Sequence, residues 1–186
     1  DDPYGVALDR SGGLYGLGTT CSGNFPVTAG AFQTTLADPL ASNFYDSFVA
    51  AFDSTGARRW ITYYGGINSE EFKGVAINSR REVIVAGGAT STVFPVTTNA
   101  WQSTNGGLDD IVVVKFDSNG TRLYATYYGG IGYESANALL AGKTSFIAAG
   151  FANTTFLVTA NAAQSTSGGS RDGAIAKFCD LPVVRV

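Results

Sequence analysis

Three aspartates, Asp46, Asp110 and Asp172, stand at matching points of a repeated pattern, and repeated carboxylates around a common opening could hold a cation through oxygen ligands. A cation site would want further carboxylates close by, so the favoured role is a plainer one. Each Asp accepts hydrogen bonds from nearby backbone amides and fixes the entry to its strand. Glu70, Glu71 and Glu134 raise glycoside hydrolysis, which needs two carboxyls at a defined separation across a pocket. Adjacent residues of a strand or loop point apart, so these three read as solvated loop charges. Trp60, Tyr64, Tyr124, Tyr128 and Trp101 could form a sugar-stacking surface. Because the aromatics recur at equivalent positions, packing between repeats explains most of them.

Other chemistries are excluded by what the chain lacks. It contains no His, which removes the commonest acid/base catalyst at neutral pH, the commonest metal ligand and every Ser-His-Asp or Cys-His nucleophile. The Gly pairs never open a helix, so no phosphate-cradling loop is formed. The Asp-Ser-x-Gly segments lack the carboxylate density of calcium loops and read as turns. Neither a metal nor an organic cofactor is expected. A net charge of −3 argues against nucleic acid. No apolar stretch is long enough to span a bilayer. Cys21 and Cys179 carry no CxxC spacing, and the strands they follow run in opposite directions, so no bridge between them is expected. Asn119-Gly120-Thr121 and Asn153-Thr154-Thr155 match the glycosylation pattern only incidentally.

The elements that must position these residues follow from an internal repeat. Asp46 to Gly66 and Asp110 to Gly130 share 12 of 21 residues. A second pattern, F-x-V-T-x-x-A-x-Q, occurs from Phe25, from Phe94 and from Phe156. The near-continuous apolar runs Phe48 to Phe52, Ile111 to Phe116 and Ala174 to Phe178 read as strands buried on both faces, the innermost of their units. Asp53-Ser54-Thr55-Gly56 and Asp117-Ser118-Asn119-Gly120 then turn the chain into Trp60 to Tyr64 and Leu123 to Tyr128. A third strand is expected over Gly74 to Ile77, Gly5 to Leu8 and Ala136 to Leu139, and a fourth over Val83 to Gly87, Leu14 to Gly18 and Phe146 to Gly150. The first copy carries a loop insertion before Asp46.

Four antiparallel strands recurring every 62 to 69 residues have the sequence form of a β-propeller blade. The chain is thus expected to be all-β, a propeller-like array of about three blade equivalents: a partial blade over 1–24, blades over 46–90 and 110–152, and a partial blade over 172–186, with F-x-V-T linkers between. The ordered motifs Asp-x-Phe-Val-x-x-Phe-Asp-x-x-Gly, Thr-Tyr-Tyr-Gly-Gly, Gly-Val-Ala, Phe-Pro-Val-Thr and Ala-Phe-Gln resemble the bacterial SBBP repeat family over nearly the whole chain. The third copy departs from it at Leu157, Ala163 and Cys179. The resemblance implies a propeller on secreted or surface proteins and no particular reaction. Asp1 in place of an initiator Met fits removal of a leader or a piece of something longer.

Because propellers usually have more blades than this, three arrangements stay open: part of a longer propeller, one subunit of a ring completed by copies, and a self-closed unit. The expected function is noncatalytic. The chain would serve as a structural or protein-interaction subunit outside the cytoplasm, at the cell surface or in the periplasm, with copies of itself or other chains as partners. The alternative is carbohydrate binding, with glycans as partners.

Overall fold

The computed structural model describes residues 1–38, 44–153 and 156–179. They form eleven strands and no helix: β1 Asp2–Leu8, β2 Leu14–Thr20, β3 Asp46–Phe52, β4 Arg58–Tyr64, β5 Glu70–Ile77, β6 Val83–Ala89, β7 Asp110–Phe116, β8 Arg122–Tyr128, β9 Glu134–Ala141, β10 Ser145–Ala152 and β11 Asp172–Cys179. These make three antiparallel sheets, β1-β2-β3-β4, β5-β6-β7-β8 and β9-β10-β11. The segment Val183 to Val186, where the second strand of the last partial blade is expected to begin, lies outside the described residues.

Side-chain chemistry sets the strand ends. The carboxylate of Asp53 accepts the Thr55 and Ala57 amides at 2.8 and 2.9 Å, and Asp117 does the same for Asn119 and Thr121. Asp9 and Asn78 make the same turn in β1–β2 and β5–β6, through Ser11 and Gly13 and through Arg80 and Glu82. Each turn needs one residue in the left-handed region, supplied by Gly12, Gly56 and Gly120 and, in the fourth, by Arg81 at φ 62°.

The sheets group the strands differently from the blades drawn over 46–90 and 110–152. The hydrogen-bonded units run from Asp2 to Tyr64, from Glu70 to Tyr128 and from Glu134 to Cys179. The linker supplies the reason. Thr28 closes a two-way bond with Ile61, its amide donating to the Ile61 carbonyl at 3.0 Å and its hydroxyl accepting the Ile61 amide at 3.1 Å. The Gln33 carbonyl accepts the Tyr63 amide at 3.2 Å. With the open edge of β4 occupied, β5 has nothing there to pair with and starts a new sheet. Thr97 and Gln102 do the same at β8, on Ala125 and Tyr127. Consequently β3 and β7 are not innermost. Each is third of four, bonded to strands on both sides.

The sheets stack face to face, with β5 against β1, β2 and β3 and β9 against β5, β6 and β7. In the middle sheet alternate residues serve opposite neighbours. Val83, Val85, Val112, Val114 and Phe116 pack with Tyr15, Leu17, Val49, Trp60 and Tyr64 of the first sheet. Ile84, Ala86, Ile111 and Val113 pack with Ala136, Phe146 and Ala148 of the third. This double burial is why β7 reads as one apolar run.

Candidate functional site

The Thr-Tyr-Tyr-Gly-Gly motif ends β4 and β8, and each of its residues has a separate task. The Thr62 hydroxyl accepts the Gln33 amide at 3.0 Å, as Thr126 does for Gln102 at 3.1 Å. The Tyr63 hydroxyl accepts the Phe25 amide and donates to the Ser22 carbonyl at 2.7 Å. Tyr127 repeats this with Phe94 and Ser91. These bonds tie the linker down. Tyr64 turns the other way, into the next sheet, packing at 5.0 to 5.8 Å, tilted on Phe72 and Phe94 and edge-on to Phe116, and donating to the Pro95 carbonyl. Tyr128 packs on Phe156 and Phe178 and donates to the Leu157 carbonyl at 2.8 Å.

The glycines that follow make room for carboxyl groups. A Cβ on Gly129 would lie 2.6 Å from Asp110 Oδ1 and 2.7 Å from Glu134 Oε2, and one on Gly65 would meet Asp46 and Glu70 in the same way. One oxygen of each carboxyl is well provided for. Asp46 Oδ2 accepts from Gln33 Nε2 at 2.7 Å and the Ala37 amide at 2.9 Å. Asp110 Oδ2 accepts from Gln102 Nε2 at 2.6 Å and the Gly106 amide at 2.9 Å. Glu70 Oε2 takes the Gly66 amide and Glu134 Oε2 the Gly130 amide. The second oxygen is different. Glu70 Oε1, Asp110 Oδ1 and Glu134 Oε1 are buried with no hydrogen-bond partner.

Burial governs the protonation of these acids. It pushes Glu70 up to about 9, with the Asp46 and Asp109 charges adding to the rise against the Gly66 and Ser91 bonds. Asp46 rises to about 6 for the same first reason. Asp110 and Glu134 are also raised, the latter with help from the Asp110 charge. Asp109, next to Asp110, is pushed up by burial to about 7, with Lys73 opposing. A proton on one carboxyl of each pair gives its free oxygen something to donate and removes one of two neighbouring buried charges. The arrangement is a closed joint between sheets in which burial favours the protonated form of its acids. Glu70 and Glu134 are wholly buried, so the reading of these two as solvated charges is corrected. Each packs against a glycine that follows the preceding strand, Glu70 on Gly65 and Glu134 on Gly129, which is what takes it out of solvent. Glu71 alone keeps a solvent-facing role, in an ion pair with Lys73 at 2.7 Å.

The three repeated aspartates do bind backbone amides, Asp172 accepting from Gly168 at 2.7 Å and from the Ser167 hydroxyl at 3.0 Å. Asp46 and Asp110 are held in separate joints, and Asp172 belongs to neither. Among the described residues no group of three or more His, Cys, Asp or Glu side chains is placed to hold a metal ion. Two carboxyls per joint fall well short of the roughly six to eight oxygens that calcium takes. Asp172 lines an open cleft of about 420 Å³ with Phe156, Val158 and Gln164. Trp60, Tyr64 and Tyr128 lie between sheets, Trp60 donating its indole N–H to the Ser118 carbonyl of the middle sheet. Trp101 is exposed. Cys21 and Cys179 are free and exposed. Gln33 and Gln102, which hold the aspartates, and Asp109 went unnoticed in the sequence as site residues. The Gln of F-x-V-T-x-x-A-x-Q was the available signal.

No protein-family model matches the chain, and no curated protein matches it in sequence.

Proposed function

We propose that this chain is a β-propeller-type repeat module, of the SBBP kind its motifs resemble, acting as a noncatalytic structural or protein-interaction unit of a larger assembly outside the cytoplasm. One observation carries the reading. The middle sheet buries one apolar face against the first sheet and the other against the third, and the outward faces of those two sheets carry exposed apolar side chains, Val6 and Leu8 on the first and Leu140 and Ile175 on the third. Exposed apolar area of this kind is characteristic of association surfaces. The acids most altered by burial are sealed inside joints, and their partners are glutamines and backbone amides that hold structure together. Family resemblance and a Thr-, Ser- and Asn-rich surface support the extracytoplasmic placement.

The test is native gel filtration of the protein released from its own source. It should elute well above the mass of its own polypeptide. Elution at that mass, together with glycan-array binding centred on the exposed Trp101, would favour the carbohydrate-binding alternative.

A further inference from the structure

The outward faces of the first and third sheets are the two kinds of surface that already meet twice inside the molecule. On the first sheet, Val6 and Leu8 of β1 and Leu14 of β2 hold the register positions of Val75, Ile77 and Val83 in the middle sheet. There, Val83 is buried, and Val75 and Ile77 pack against the first sheet. In the first sheet, Val6 is 72% and Leu8 67% exposed. On the third sheet, Ile147 of β10 and Ile175 of β11 hold the positions of Ile84 and Val113, both buried beneath the third sheet. Ile175 is 77% exposed. Leu140 of β9 stands exposed on the same sheet. These residues of matching type at matching register are thus buried in the interior copies and more exposed at the two ends, Val6, Leu8 and Ile175 most of all.

We propose, building on the association reading above, that a second copy of this chain docks head to tail. The β9–β11 face of one copy seats on the β1–β3 face of the next, with Ile147 and Ile175 taking the places that Ile84 and Val113 take inside the stack. The partner is another copy because Val6, Leu8 and Leu14 on one open face and Ile147 and Ile175 on the other stand where their interior counterparts already meet a neighbouring sheet, so the contact continues an interface present twice within the chain. The two surfaces are different patches, so the contact is heterologous. It builds a closed ring when the rotation per copy closes and a filament when it does not.

That polarity gives a decisive mixing experiment. Leu8→Glu damages only the receiving face, and Ile175→Glu only the seating face. Sedimentation velocity of the wild-type 186-residue chain should show mass rising with concentration over about 1 to 100 µM. Each single variant alone should stay a monomer, and an equimolar mixture of the two should double in mass to a one-to-one pair, since one intact face of each kind remains. Val6→Glu and Leu140→Glu should reproduce the result, and a wild-type circular dichroism spectrum for every variant would show that folding is intact. A wild type that associates while the mixture stays monomeric overturns head-to-tail docking and leaves the association reading standing. A wild type that stays monomeric at every concentration overturns self-docking, and native elution at the polypeptide's own mass then overturns the association reading as well.

Discussion

Burying Asp110 beside Glu134, and Asp46 beside Glu70, makes protonation part of the fold. A carboxyl whose folded value lies above its ordinary one keeps a proton that the unfolded chain gives up, so its contribution is complete at low pH and is lost as pH rises. For Asp46 the loss runs to about pH 6, for Asp109 to about 7 and for Glu70 to about 9. Thermal unfolding should therefore give a lower midpoint at pH 9 than at pH 6, each proton of difference contributing about 1.4 kcal/mol per pH unit. Acid does not extend the gain indefinitely. Asp9, Asp53 and Glu82 are held low by hydrogen bonds and cationic neighbours, and their contribution is lost below the ordinary carboxylate range. Glu70→Gln, whose amide imitates the protonated acid, should raise the midpoint at pH 9 and flatten the slope above pH 7. An unchanged slope would show that Glu70 is ionised in the fold. Gly129→Ala tests the space between the acids. Gly129 is not among the glycines with positive φ, so its cost arises from the carboxyls that the new methyl meets and should be roughly 1 to 3 kcal/mol in chemical denaturation. The sequence revealed that Asp46 and Asp110 bind amides, because an Asp that opens a strand after a loop commonly accepts from nearby backbone N–H groups. It concealed the glutamates, because their burial depends on a sheet boundary that no local pattern marks.

At the level of elements, local periodicity located the strands and the linker decided which of them pair. Apolar runs, Asp-x-x-Gly turns and the Tyr-Tyr-Gly-Gly stops place β3, β4, β7 and β8 within a residue or two of where they lie. The grouping into sheets depends instead on Thr28 and Gln33 occupying the free edge of β4, a contact between segments some thirty residues apart. Thr97→Val tests this edge cover. Losing the hydroxyl that accepts the Ala125 amide at 3.2 Å and donates to its carbonyl at 3.1 Å should cost about 1 kcal/mol and speed hydrogen exchange along β8 in preference to β6. The turns give a second test with the opposite sign. Arg81 sits at the left-handed position that glycine fills in three sister turns, and its ion pair with Asp9 is long, at 3.8 Å, from an exposed guanidinium. Arg81→Gly should stabilise the chain by up to about 1 kcal/mol, because relief from the left-handed conformation outweighs a weak surface pair. A lower unfolding midpoint would mean that Arg81 matters to the contact between the first two sheets.

Across the whole molecule, one repeat position experiences two environments, and the contrast measures what stacking contributes. Val113 and Ile175 share a register position, one sealed between the middle and third sheets, the other on the uncovered face. Removing two methyl groups at Val113 with Val113→Ala should cost roughly 2 kcal/mol, from lost apolar burial and the cavity left behind. Ile175→Ala removes more atoms, yet in dilute solution it should cost less than about 0.5 kcal/mol, because those atoms are already in water. Urea unfolding at low and high protein concentration separates the cases. The Val113→Ala loss should persist at both concentrations, whereas the Ile175→Ala loss should grow with concentration, because a docked second copy stabilises only the chain whose seating face is intact. Equal, concentration-independent losses at the two positions would mean that the third sheet's outer face is already covered within the monomer, and docking through that face would then have no surface to use.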